Sequence, residues 1–259
     1  MLRAPVTARA AQAGSRLWEC IASQFGVRAL QLLALLVLAA IPAPASAQVG
    51  AVVSLFSDSR FRGYSLSDGR PVGILDVSYD APNGLYGAVS GSVVASRHDG
   101  LQPLRFALNA GYARRFRSGL TADLGAVYSH YSEYSGLASG RSYTEVYAGL
   151  AGKFVGGRLS VSPNYLGAAR WTMHGAVNGH VDLASDWLLE GEVGLLVPIG
   201  GPGYRRNSKP QLDARAGIAR RIGRITLHAA ITTRSGGPDI YVGHEPGKTA
   251  LVLGISTAF

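Results

Sequence analysis

From residue 48 to the end of the chain, apolar and polar side chains alternate with a period of two, segment after segment, and no apolar run there is long enough for a membrane-crossing helix. Successive side chains of a strand point to opposite faces. The pattern therefore calls for strands with one apolar and one polar face. Residues 104–115 show it best: Leu104, Phe106, Leu108, Ala110 and Tyr112 fall on one side, and Arg105, Ala107, Asn109, Gly111, Ala113 and Arg115 on the other. The alternation recurs over 119–129, 158–166, 171–182, 187–197, 224–234 and the last segment, where Leu251, Leu253, Ile255 and Phe259 share a face. A soluble β-sandwich would turn the apolar faces inward, and an inner face carrying so many charges on its partner side fits that poorly. A transmembrane barrel inverts the arrangement, apolar toward lipid and polar toward the lumen.

The connections alternate as well. Tight turns are expected at 82–84, 117–119, 155–157, 184–186 and 222–223, and longer polar connections at 59–69, 96–103, 131–140, 198–209 and 235–247. One long position, Ala168-Ala169-Arg170, is short. Tyr112, Tyr128, Tyr143, Trp171 and Trp187 stand near segment ends, where interfacial girdles would place them. The expected fold is all-β: a single antiparallel transmembrane β-barrel of about twelve strands, outer-membrane type, with both termini on the turn side.

Residues 1–47 read differently. Arg3, Arg9, Arg16 and Arg28 precede an apolar run over 29–41, and Ala45-Ser46-Ala47 follows it. Basic region, short apolar core and small-residue cleavage motif make a cleaved signal peptide of the Sec pathway, leaving 48–259 as the barrel. The long basic region raises a second hypothesis, translation from Val27; a precursor containing residues before Val27 would sink it. The single cysteine, Cys20, lies in the leader, so the mature part has no thiol for disulfide, metal or nucleophile chemistry. The leader holds four of the 25 basic and one of the 16 acidic residues, leaving 21 against 15, or +6. The charge is not clustered, and no basic helix or aromatic platform suggests nucleic acid. The aromatic Phe259 at the end of the last segment, with Gly254 five residues earlier, matches in part the signal read by the barrel-assembly machinery. Outer-membrane lipids and lipopolysaccharide are then the surroundings, and small solutes the cargo.

The stretch Ser57-Asp58-Ser59-Arg60-Phe61-Arg62-Gly63-Tyr64-Ser65-Leu66-Ser67-Asp68-Gly69-Arg70-Pro71 resembles the opening of the TorF-family porins, outer-membrane proteins of the Gcw_chp type and of unknown function. Ser59 replaces the usual Tyr, and the Gln expected after Pro71 is missing. The resemblance implies an outer-membrane channel and brings no substrate and no catalytic residues. Arg60 and Arg62 share a face, with Asp58 and Asp68 near enough to pair. Two readings stand: a salt-bridged surface loop, or a loop folded inward that sets the charge at a constriction.

Chemistry is sparse. His130-Tyr131-Ser132-Glu133 looks superficially like the His-x-Ser pairing of outer-membrane lipid hydrolases, but alternation places His130 toward lipid. Activating a serine needs a base within about 3 Å, and the spacing gives no argument for one. His174 and His180 share a face yet stand about 20 Å apart along a strand, too far to share a metal. No cofactor or metal is expected. Sorting by face predicts a lumen with Arg105, Arg115, Lys153, Arg158, Arg215, Arg221, Arg224 and Arg234 against Asp123, Glu145, Asp182, Glu190, Glu192 and Asp213. The expected function is a narrow passive channel for small solutes, slightly anion-preferring. The alternatives are a plugged structural or adhesin barrel and, behind it, a lipid hydrolase.

Overall fold

The computed structural model describes residues 49–137, 141–167, 169–202, 209–236 and 247–259. Twelve strands close into an antiparallel barrel: β1 (Val49–Phe56), β4 (Val72–Asp80), β5 (Leu85–Ser96), β6 (Gly100–Arg115), β7 (Thr121–Tyr131), β8 (Arg141–Ala151), β9 (Val155–Ser162), β10 (Trp171–Ala184), β11 (Trp187–Gly200), β12 (Gln211–Ile222), β13 (Ile225–Arg234) and β14 (Thr249–Ala258). Each pairs with its neighbours in sequence, and β1 closes the ring on β14. A separate short hairpin, β2 (Arg60–Phe61) and β3 (Tyr64–Ser65), lies between β1 and β4.

The apolar faces point outward. Leu124, Val177, Leu251 and Ile231 are each more than half exposed, and they belong to a belt that continues strand by strand around the barrel. A water-soluble protein does not expose so large a contiguous apolar surface. Hydrocarbon is its fitting solvent, and closure leaves no unpaired strand edge to meet it. The sandwich alternative falls on this point.

Inside, three large rings lie across glycines at directly opposite positions of the next strand. These are Tyr86 over Gly111, Tyr147 over Gly125 and Phe56 over Gly254. A side chain in place of each glycine would strike its ring, so the small residue is a seat for the large one. Gly254, read in the sequence as part of a terminal signal, therefore also packs the β1–β14 seam.

Several local expectations are corrected. Residues 96–103 are mostly strand, and only 97–99 separate β5 from β6. The turn expected at 155–157 sits at 152–154, because Val155 already pairs in β9. Leu104 does not face lipid. The register shifts between Ser92 and Val93, so that Arg105 and Pro103 take consecutive partners and Leu104 is the extra residue of a bulge. A bulge re-aims side chains, and Leu104 turns inward to pack, fully buried, on Val72 and Val94. Tyr143, expected in the aromatic girdle, and Tyr165, which alternation puts on the lipid face with Leu159 and Val161, are likewise buried in the lumen.

Candidate functional site: a hairpin docked in the lumen

The motif at 57–71 builds the site. The β2–β3 hairpin turns on Arg62 and Gly63, both with positive φ (50° and 78°), as the tightest hairpin turns require. Asp58 organises it. Its carboxylate accepts from Arg60 Nε at 2.7 Å, Ser65 Oγ at 2.6 Å and Ser67 Oγ at 2.8 Å. Asp68, the other expected partner of the arginines, sits instead in a turn with φ 54°. The hairpin folds into the barrel, the second of the two readings. Tyr64 and Leu66 are buried, and a Cβ on Gly63 would stand 2.7 Å from Arg234 Cβ on the wall.

Contacts of Arg62 and Tyr64 with the wall fix it there. Arg62 Nη2 donates to Glu145 Oε1 on β8 at 2.7 Å, with both side chains under a tenth exposed. The Arg62 guanidinium also lies over the rings of Phe61 (4.8 Å) and Tyr165 (5.1 Å). Tyr64 OH donates to Gln211 Oε1 at 2.9 Å, and Gln211 Nε2 returns a bond to Arg62 O at 3.0 Å. Arg234 lies over the Tyr64 ring at 4.1 Å. Around this, Leu66, Tyr131, Leu137, Tyr143, Tyr165, Leu166 and Leu196 form an apolar cluster inside the barrel mouth, with Phe61 packed on it. Tyr165 and Leu166 arrive on a single helical turn, Tyr165–Gly167, in the β9–β10 connection. Burial pushes the Tyr165 phenol up, with Arg62 pulling the other way. Burial lowers Arg62, but Tyr165, Glu145 and Tyr143 together raise it, so it stays charged.

Beneath the hairpin lies a cavity of about 620 Å³, lined by Arg60, Arg62, Arg105, Arg158 and Arg215 and by Asp123, Glu145, Glu192 and Asp213, among others. A second, of about 480 Å³, adjoins it toward the turn side and shares Asn178, Glu192 and Arg215. Arg158 pairs with Asp123 at 3.1 Å and Arg215 with Glu190 at 2.9 Å, and His174 Nε2 lies within hydrogen-bonding distance of Asp213 at 3.3 Å. Arg105 donates to Ser129 Oγ at 3.0 Å and lies 5.6 Å over the Tyr131 ring. Tyr86 OH reaches Asp123 at 3.2 Å, and Tyr147 OH reaches Asn109 at 2.8 Å.

Of the residues expected at the lumen or constriction, Arg60 and Arg62 stand in the hairpin, and Arg105, Asp123, Glu145, Arg158, Glu190, Glu192, Arg215 and Arg234 stand on the inner wall. Arg115 and Arg224 do not. Arg115 is the last residue of β6 and exposed at the turn-side rim, and Arg224 lies in the turn between β12 and β13. Lys153 is also in a turn, over the Phe154 ring. Alternation cannot place a residue just past a strand end. The hydroxyls of the hairpin and the inward rings Tyr64, Tyr131, Tyr143 and Tyr165 escaped the sequence reading, because an aromatic in a membrane barrel reads first as a girdle residue.

The His-x-Ser pairing does not form. Ser132 Oγ donates to Pro103 O, and His130 Nδ1 instead meets Ser142 Oγ at 2.9 Å on the outer face, where Tyr128 OH also reaches that serine. Among the described residues no carboxylate pairs with His130. Likewise no group of three or more His, Cys, Asp or Glu residues that could hold a metal occurs among them.

A family model described as "Bacterial protein of unknown function (Gcw_chp)" matches residues 40–245. No curated protein matches the chain. Among solved structures, the NanC porin superposes with a TM-score of 0.54 at 12% identity, covering 80% of this chain and 98% of its own. The KdgM porin does so at 0.49 and 10% identity, covering 81% and 99%. An outer-membrane channel from Pseudomonas putida F1 does so at 0.48 and 15%, covering 84% and 96%. The likeness to the NanC porin at such identity shows the fold and no more.

Proposed function

The chain belongs to the Gcw_chp family of bacterial proteins, and on that premise we propose that it is a narrow passive channel of the outer membrane for small solutes, slightly anion-preferring. One observation carries the reading: two adjoining polar cavities continue the lumen from the docked hairpin toward the turn side. A barrel needed only as an anchor would be expected to fill that space with side chains, as eight-strand barrels do. The hairpin narrows the passage at its outer end.

The upper cavity has five arginines against four carboxylates on its wall, a slight excess that supports weak anion preference. The TorF-family porin label belongs to this proposal. So do export by the Sec pathway through a leader at 1–47, a neighbourhood of outer-membrane lipids and lipopolysaccharide, and recognition of Phe259 by the barrel-assembly machinery.

A second reading, a plugged structural or adhesin barrel, is favoured by the buried Arg62–Glu145 pair, which holds the hairpin in the lumen. Planar-bilayer recording of the refolded barrel under a potassium chloride gradient separates the two. The channel reading expects small discrete steps and a reversal potential displaced toward that of chloride. Silence in repeated preparations of folded protein refutes it and leaves the plugged barrel.

A further inference from the structure

The middle of the lumen carries charge of both signs in an uneven state of pairing. Arg158 and Arg215 each spend one nitrogen on a carboxylate, Asp123 and Glu190, yet remain 49% and 44% exposed, more than their partners at 20% and 34%. A guanidinium has five N–H donors, so N–H groups of both remain for a solute in the cavity, with one face of Arg158 covered by the Tyr147 ring at 4.2 Å. Glu192 is the reverse case. It lines both cavities, is exposed, and makes no ion pair among the described residues. It lies directly across the strand pair from Arg215 on one side and from Asn178 on the other. Arg158, Ala176, Asn178, Glu192 and Arg215 line the same cavity, and Ala176, directly across from Arg158, leaves a hollow there; beyond it the space over Gly194 is filled by His174 and Asp213.

Among Arg158, Arg215, Asp123, Glu190 and Glu192 the two ion pairs cancel and Glu192 leaves one carboxylate over, while Asp213 on the same wall is bonded to His174. A simple anion entering the hollow meets two guanidinium groups but also the Glu192 carboxylate. A simple cation meets the reverse. A small solute carrying both charges satisfies both, its carboxylate on a guanidinium fork and its ammonium on Glu192, with the Asn178 amide beside it. We propose that this mid-lumen hollow is a binding subsite for small zwitterions of the α-amino acid class. The inference rests on the channel reading for how the solute arrives, and it assigns the weak anion preference to the outer vestibule, where Arg105 has no carboxylate partner among the described residues.

The test uses four three-carbon probes of closely similar size: L-alanine, lactate, alaninol and 1,2-propanediol, respectively zwitterion, anion, cation and neutral. Uptake of each labelled probe is measured in proteoliposomes holding the full barrel purified from outer membranes. Alanine is expected to enter roughly threefold faster than lactate or propanediol, the scale of one exposed ion pair, with alaninol no faster than lactate. In Glu192→Gln the advantage disappears and lactate overtakes alanine. Equal rates for alanine and propanediol, or an alanine advantage that survives Glu192→Gln, overturn the proposal. If nothing enters, the channel reading fails instead, and the subsite is judged by saturation-transfer difference NMR of the same protein in micelles. There an alanine methyl signal that Glu192→Gln abolishes supports it, and no alanine signal overturns it.

Discussion

Removing the Arg62 side chain is expected to release the hairpin, and the structure gives the size of the effect. Arg62 and Glu145 are 7% and 9% exposed at 2.7 Å, so Arg62→Ala strands a buried carboxylate, a change that costs about 3–5 kcal/mol. Loss of the stacking on Tyr165, the ring outside the hairpin, adds about 0.5–1 kcal/mol. The docked state therefore loses roughly 4–6 kcal/mol. Limited trypsin digestion reads this directly, because Arg60 and Arg70 flank the turn and are held in the docked hairpin by Asp58 and by Ser67 O. Where cleavage follows the open population, each 1.4 kcal/mol is about tenfold. Cleavage at those two sites should accelerate by at least about a hundredfold, while the barrel strands stay intact. Single-channel conductance should rise at the same time. The double variant Arg62→Gln with Glu145→Gln removes both charges and should recover most of the protection, since replacing a whole buried pair costs far less than breaking it. Arg62→Ala with unchanged trypsin resistance and unchanged conductance would mean that the Arg62–Glu145 pair does not hold the hairpin in the lumen.

Three further outcomes follow from single contacts. Gly125→Val should unseat the Tyr147 ring and lower the thermal midpoint of the detergent-solubilised barrel, at about 1–3 kcal/mol for overpacking, whereas Gly91→Val, with open space at its Cβ, should leave it nearly unchanged. Leu104→Asp should destabilise strongly, because the bulge buries that side chain against Val72 and Val94; a residue facing solvent in the pore would tolerate the change, and a melt distinguishes the two. Deleting Phe259 should reduce the heat-modifiable, membrane-assembled fraction in cells while sparing refolding in detergent. Wild-type assembly would argue against a targeting role.

The barrel was legible because period two is a strong signal and because charges on one face and leucines on the other have only one sensible orientation in lipid. The strand number and the sidedness of the turns followed. Leu104 shows where the rule ends: one inserted residue reverses the face, and nothing in Pro103-Leu104-Arg105 announces a bulge. Tyr143 and Tyr165 were misplaced for another reason. They are inward because a hairpin from 80–100 residues earlier fills the lumen and gives them an apolar partner, a long-range contact that local alternation cannot carry. The motif at 57–71 pointed to the right segment. Its charges suggested a salt-bridged loop, and Asp58 with Arg60 does form that pair; the decisive contact, Arg62 with Glu145, spans 83 residues. Arg224 and Lys153 slipped the other way, from wall to turn, by their nearness to strand ends.

An open polar passage past the docked hairpin is tested by current block at a single lumen position. Asn178 lines both cavities. With Cys20 replaced by serine, Asn178→Cys gives a single thiol at that level. A small charged methanethiosulfonate added during single-channel recording should reduce the current in one irreversible step per channel, and leave the Asn178 parent unaffected. Modification of the thiol, verified by mass, with no change in current would mean that ions do not pass this level of the lumen.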